Sequence, residues 1–198
     1  MKNYFLFPLL AILLFVACNS GPQTGNPVVE IETSYGDIEL EIFQNEAPKT
    51  SAAFLSYVDK GYYKRSHFYR VLSEYNQPSS GFKAELVQGG LYRSNRQLSD
   101  SLPGIEHEPT NQTGILHTHG TLSMARTEPG TATTEFFICI GDQHGFDYGG
   151  PNNADGQGYA AFGRVVKGFD ALLKIYRQKE ENQSFTPPVL IFNIKRIK

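Results

Sequence analysis

Residues 120–142, GTLSMARTEPGTATTEFFICIGD, constrain this chain more than any other stretch. They hold two short runs, 121–125 and 136–140, joined by a loop of Pro129, Gly130 and several threonines. Both runs read as strands, and Phe136, Phe137, Ile138 and Ile140 suit a strand buried on both faces. Arg126 and Glu135 stand at the two inner ends of the loop. Polar groups bordering an apolar wall are what a peptide-binding cleft requires. Two other segments sharpen that reading: Phe68, Arg70 and Val71 with Gln88-Gly89-Gly90 upstream, and residues 159–163 downstream.

A chain of 198 residues suits one domain with a sizeable core. Its 18 basic and 20 acidic side chains leave a net charge of −2, which gives no support to a nucleic-acid binder. With 19 glycines, 11 prolines and 13% aromatic residues, the composition favours strands and turns over a helical bundle. The 2 cysteines are too few for a disulfide framework. Cys139 sits in the apolar strand as a small hydrophobe, whereas Cys18 ends an apolar run and reads differently.

Lys2 precedes that run, residues 5–17, which is shorter than the ~20 residues a membrane span needs. It has the proportions of a secretory signal's hydrophobic segment behind a positive start. Its end, LFVAC, resembles the lipobox of bacterial lipoproteins, in which the signal is cut before the cysteine and the thiol is lipidated. Phe15 departs from the usual leucine, so a plain cleaved signal stays open. The expected organisation is a signal peptide at 1–17, a lipid-anchor cysteine and breaker-rich tether at 18–27, and a single domain at 28–198. The protein is then exported, periplasmic and anchored to an envelope membrane, where one residual thiol avoids wrong disulfides.

Val29 and Ile31, then Ile38, Leu40 and Ile42, alternate with glutamates around Tyr35-Gly36-Asp37, a hairpin with one buried face. Pro48 opens a helix that carries Phe54, Leu55 and Val58 on one stripe and stops at Gly61. Residues 67–72 and 85–88 are expected strands, with a polar loop at 73–84 between them. Residues 91–114 look irregular. A glycine-rich loop at 141–158 leads to a strand at 159–166 and a second helix at 169–176. A loop at 178–188 and a closing strand at 189–197 complete the chain. About eight strands whose edges need closing suggest a mainly β fold, a closed antiparallel barrel capped by two helices.

His117-Thr118-His119, with His107 upstream, has spacing that could serve Zn²⁺, but no acid or cysteine completes the set. Surface loop histidines are the expectation. A hydrolase built on Ser123, His119 and an aspartate lacks the nucleophile-elbow glycines. The glycines of 149–158 precede no helix that could cradle phosphate.

FYRV at 68–71, VQGG at 87–90, GTLSMAR at 120–126, TEFFI at 134–138 and YAAFGRVVKGFD at 159–170 stand in the order found in the cyclophilin-type peptidyl-prolyl isomerases, which this chain resembles from Val28 onward. The resemblance implies an eight-stranded barrel and a groove for Xaa-Pro peptides, without metal or cofactor. It puts Arg70 at the catalytic arginine's position and Gln88 at that of a backbone-binding glutamine. Ala125 and Arg126 line the adjoining groove, Phe137 is the floor of the proline pocket, and Leu86 is its wall. Glu135 replaces the usual glutamine, and Glu85 stands where a wall phenylalanine is usual, with Phe82 as an alternative wall. Phe146 is the aromatic nearest a missing pocket tryptophan, and Tyr159 replaces a histidine. Glu135 is expected either to pair with Arg70, competing with substrate, or to point to solvent. The implied function is an isomerase that assists folding of proline-containing envelope polypeptides, as a monomer. The alternative is a catalytically weak proline-peptide binder or holdase on the same barrel.

Overall fold

The computed structural model describes residues 25–198. The signal segment, Cys18 and most of the tether lie outside the described residues. Strands β1 (Val28–Thr33) and β2 (Ile38–Ile42) form the expected hairpin, with Val29, Ile31, Ile38, Leu40 and Ile42 fully buried. Helix α1 (Pro48–Asp59) follows, then β3 (Ser66–Leu72) and β4 (Leu86–Gly90). After two short helices come β5 (Thr121–Met124), β6 (Phe136–Cys139), β7 (Ala160–Lys167) and helix α4 (Phe169–Tyr176). A two-residue strand β8 (Glu180–Glu181) and the long β9 (Ser184–Arg196) end the fold.

Neighbours in the sheet run β1-β2-β7-β5-β6-β4-β3-β9, and β9 pairs again with β1. All of these pairings are antiparallel, so eight strands close into a barrel and β8 is a short flap on β9. Among the described residues, closure leaves no long strand edge open to pair with a second chain. The interior is filled by Phe54, Tyr63, Phe68, Phe136 and Phe162 among aliphatic neighbours. Their rings meet at centroid distances of 5.1 to 5.9 Å, mostly tilted or edge-on.

Two expected irregular stretches carry structure. Within 91–114 lie α2 (Arg96–Ser101) and α3 (Thr110–Thr113), each too short for a clear apolar stripe. Asn95 caps α2 by accepting from the Leu98 amide at 3.2 Å. Within 178–188, β8 and the start of β9 make a tight hairpin through Asn182 and Gln183, both at positive φ (50° and 68°). That backbone suits a two-residue hairpin turn and favours Asn or Gly. The glutamine hid it.

Helix α1 begins at Ala47, which cannot cap it, and Pro48. The missing acceptor comes from Glu108, a buried residue between α2 and α3. Its carboxylate takes the Lys49 amide at 3.2 Å and both the amide and the hydroxyl of Thr50 at 2.7 Å.

Candidate active site

The outer faces of β3, β4 and β6, residues 125–126 just after β5, and the loops 73–84 and 141–158 enclose an open cleft of about 500 Å³. Strand alternation produces it. Phe136 and Ile138 face the barrel core, while Phe137 and Cys139 belong to a second apolar cluster with Leu72, Ala84, Leu86 and Phe146. Ala125 and Tyr159 pack against its edge. Three rings make the centre: Phe137 to Phe146 at 5.2 Å, Phe137 to Tyr159 at 5.5 Å and Phe146 to Tyr159 at 5.2 Å. Tyr159 stands nearly perpendicular to both phenylalanines, at 88° and 85°. Such edge-to-face contacts fix ring positions as well as burying area.

Arg70 lines the cleft beside this floor because β3 carries a bulge. Its register slips between Phe68 and Arg70, leaving Tyr69 without a partner on β4 or β9. An extra residue lets two consecutive side chains leave the same side of a strand. Phe68 and Val71 enter the core, while Tyr69 packs at a tilt against Tyr92 at 5.4 Å and Arg70 reaches the cleft. The Arg70 guanidinium donates to Gln88 Oε1 at 3.2 Å and to Gln183 Oε1 at 2.8 Å. Its other N–H groups meet no acceptor among the described residues. Gln88 in turn donates from Nε2 to the Tyr69 hydroxyl at 2.7 Å.

Arg126 lines the opposite side, but its guanidinium is not free. It pairs with both Asp155 oxygens, at 2.6 and 2.9 Å, donates to the Gly158 carbonyl at 3.0 Å, and lies 5.0 Å over the Tyr159 ring. The hydrogen bond from Arg126 holds the Asp155 carboxyl down to about 2. The cleft wall is thus tied to the loop that closes it.

Several expectations are corrected. Glu135 neither pairs with Arg70 nor points to solvent, and it does not line the cleft. Its Oε1 accepts from the Leu91 amide at 2.8 Å, the Tyr92 amide at 3.0 Å and the Thr134 hydroxyl at 3.0 Å. The chain turns at the end of β4, and an acceptor there satisfies two amides that no strand can take. Gly90 makes room: at φ +144°, a Cβ there would lie 2.5 Å from Glu135 Oε2. Burial raises the Glu135 pKa, and these hydrogen bonds oppose the rise. Glu85 also leaves the cleft, accepting from the Tyr176 hydroxyl on α4, while Phe82 from the 73–84 loop lines it. That loop is pinched at its neck by Gln77, whose amide bonds Ser73 and Ala84.

His117 is no surface histidine. It is fully buried, with Nδ1 on Asp147 Oδ1 at 2.8 Å and Nε2 on Ser123 Oγ at 2.9 Å. The order Ser–His–Asp resembles a hydrolase triad, but Ser123 is also fully buried, so no substrate reaches it. The ring lies under the cleft floor, stacked 6.0 Å from Phe137 and edge-on 5.8 Å from Phe146. His119 accepts from the Gly141 amide, and His107 bonds the Gln157 carbonyl, so the three histidines serve separate local bonds.

A sequence model of the cyclophilin type peptidyl-prolyl cis-trans isomerase/CLD family matches residues 28–196. The chain belongs to this family. Among its relatives, a peptidyl-prolyl cis-trans isomerase of Acinetobacter baylyi is 35% identical over 167 residues, 84% of this chain and 80% of the relative. Peptidyl-prolyl cis-trans isomerase A of Dickeya dadantii is 36% identical and covers 92% of this chain and 88% of its own length. A cyclophilin-type isomerase of Cryptosporidium parvum superposes with a TM-score of 0.66 at 23% identity, over 87% of this chain and 98% of that one, which shows the shared barrel.

In this cyclophilin the cleft gathers Arg70, Leu86, Gln88, Ala125, Arg126, Phe137, Phe146 and Tyr159, and leaves out Glu135. Sequence reasoning missed Tyr69, Gln183 and Asp155, which hold those groups in place. Gln183 was visible only as part of an unassigned loop, and Asp155 as one acid in a glycine-rich stretch. Among the described residues no group of three potential ligands could hold a metal ion, and no helix is long and apolar enough to cross a membrane.

Proposed function

We propose that Arg70 carries the rate enhancement of this cyclophilin-type peptidyl-prolyl cis–trans isomerase by donating to the nitrogen of a twisted Xaa-Pro bond. The amide resists rotation with a barrier of ~18–20 kcal/mol because its nitrogen lone pair is delocalised. At the twisted geometry that lone pair is localised and accepts a hydrogen bond, which it cannot do when planar. A donor aimed there stabilises the transition state more than either ground state, which is the condition for acceleration. The supporting observation is a permanently charged guanidinium beside an apolar floor, braced by two amide oxygens with further donors unspent.

Phe137, Phe146, Leu86 and Tyr159 receive the proline ring and keep water from the reacting bond, so the Arg70 bond acts in low dielectric. Gln88 and the Ala125–Arg126 backbone hold the flanking peptide while the other side turns. The substrates are proline-containing polypeptides, and one chain suffices, since the described cleft is built within it. LFVAC supports export and anchoring through Cys18, so the work is folding in the cell envelope. Weighing the native protein's N-terminal peptide tests this: an unmodified residue 18 or a retained Met1 removes the anchor.

The activity test is exchange between cis and trans forms of a short Xaa-Pro peptide. Arg70→Ala should lose about a hundredfold or more in kcat/KM, as removal of an oriented transition-state donor does, with an unchanged circular dichroism spectrum. Wild-type rates in that variant would overturn the assignment. Peptide affinity without acceleration in the wild type would make the barrel a holdase.

A further inference from the structure

We infer that this cyclophilin has a second binding site, a basic pocket that takes the phosphate group of a phosphate ester. It stands apart from the cleft and shares no lining residue with it. Its parts come from three segments: Tyr62, Lys64 and Arg65 between α1 and β3 with His67 on β3, Arg93 and Asn95 after β4, and Leu190 on β9. The sheet assembles them. β3 lies between β4 and β9, with His67 opposite Gly90 on one side and Leu190 on the other. Antiparallel pairing therefore brings the turn entering β3 beside the turn leaving β4. Ser66 and Phe68 are buried, so alternation turns His67 outward next to Leu190. The result is a hollow of about 460 Å³, large enough for a small organic ligand.

Its charge is one-sided. Lys64, Arg65 and Arg93 line it, and no acidic side chain does. Elsewhere basic side chains meet carboxylates: Arg164 pairs with Glu41, Lys195 with Glu30 and Glu32, and Arg196 with Asp59. Among the described residues these three cations have no such partner. In a chain whose net charge is −2, they make a local field of the opposite sign. Other donors stand among them. Asn95 uses its Oδ1 to cap α2, which leaves its N–H₂ to offer. His67 Nδ1 is buried with no hydrogen-bond partner, a condition that an ion in the hollow would relieve. Burial and then the Arg65 charge lower the His67 pKa, and an anion between the two would oppose the second cause.

Arg65 stands where backbone geometry favours another residue. Its φ is 59°, and its amide is held there by the Phe192 carbonyl at 3.1 Å. Glycine adopts that conformation freely, whereas an arginine is strained in it, and strain of this kind gathers at ligand clamps. Two guanidinium groups match phosphate oxygens with paired N–H donors, and the Lys64 ammonium adds a point charge. A carboxylate would answer one of these groups, while a phosphate has charge and oxygens for all three. Tyr62 and Leu190 give an apolar rest to whatever the phosphate is esterified to. A soluble ester and a lipid headgroup share that chemistry.

The test is an NMR titration of the full chain with glycerol phosphate, and with a short-chain phosphatidic acid kept below its micelle concentration. Both probes should shift the His67 ring and the Arg65 amide at millimolar concentration, and His67 should titrate at higher pH in their presence. Tighter binding of the lipid assigns the pocket to a headgroup, and equal affinity assigns it to a soluble ester. Arg65→Gly removes a cation and the strained side chain together, so it should melt close to wild type yet bind about tenfold more weakly. Arg93→Gln, at an exposed position, should weaken binding by a similar factor. Xaa-Pro turnover should be unchanged in both, since neither residue lines the cleft. Three results overturn the inference: no shift with either probe, the same shifts from sodium chloride at matched ionic strength, or wild-type affinity in both variants.

Discussion

At the residue scale, the polar groups behind the cleft floor make the sharpest statement about pH. Asp147 as a carboxylate only accepts, so His117 Nδ1 carries the proton and Nε2 accepts from Ser123. Burial lowers the His117 pKa, and the Asp147 bond opposes this only in part. A folded-state pKa below the unfolded one means the native state binds fewer protons. The stabilisation is then complete above the unfolded histidine value near about 6.5 and is lost as pH falls below it. Asp147 adds to this at lower pH: burial would raise its pKa, but hydrogen bonds from His117 and His144 lower it on balance. Its contribution disappears as pH falls through the carboxylate range. Urea midpoints should therefore drop between about pH 7.5 and pH 5. His117→Gln should be less stable by about 1–3 kcal/mol at the upper pH, with a flatter slope below it. An unchanged slope in the variant would show that His117 is not the group responsible.

Residues of the cleft were legible where type and order suffice: an arginine two places after Phe68, a glutamine before paired glycines, a phenylalanine inside TEFFI. The polar partners were not, because each comes from a distant segment. Gln183 reaches Arg70 across 113 residues and Asp147 reaches His117 across 30. Glu135 was read by its position beside the groove, but the backbone turn after Gly90 offers it closer donors than Arg70 does.

At the element scale, α1 shows how a helix starts without its own cap. Ala47 has no acceptor to offer, and Glu108 provides one to Thr50 from 58 residues further along the chain. Glu108→Ala leaves buried amide and hydroxyl groups unpaired and should cost about 2–4 kcal/mol, combining cap loss and unsatisfied donors. The cleft does not include this residue, so kcat/KM at low temperature should stay at the wild-type value. Chemical melts and the peptide assay on one preparation check both halves. Periodicity revealed α1 and α4 because their apolar stripes face the barrel, whereas α2 and α3 span only 6 and 4 residues. The short hairpin at Asn182 and Gln183 escaped for a related reason: its signal is a backbone twist with no glycine to announce it.

At the scale of the whole molecule, closure depends on one seam. β9 pairs with β1 through Val29 and Arg196, Glu30 and Lys195, and Ile31 and Ile194, and Ile194 is buried in the core. Removing residues 194–198 deletes these pairs and a core side chain together. The loss should be about 3–5 kcal/mol, with new self-association on size-exclusion chromatography from the exposed strand edge. A monomeric truncated chain with an unshifted urea midpoint would mean the barrel does not need its seam. The eight-strand count was readable from alternating runs and turns, but the neighbour order was not, since β7 and β9 each pair with strands far back in the chain.

The same seam brings the two ends of the barrel's chain together. Val28 and Lys198 exchange backbone bonds, so the chain enters and leaves the barrel at one place. Around the ring β1-β2-β7-β5-β6-β4-β3-β9, the strand across from β1 is β6, which carries Phe137. Were the proposed anchor at Cys18 to hold the chain at a surface, the strand leading from it would lie on the side of the barrel away from Phe137.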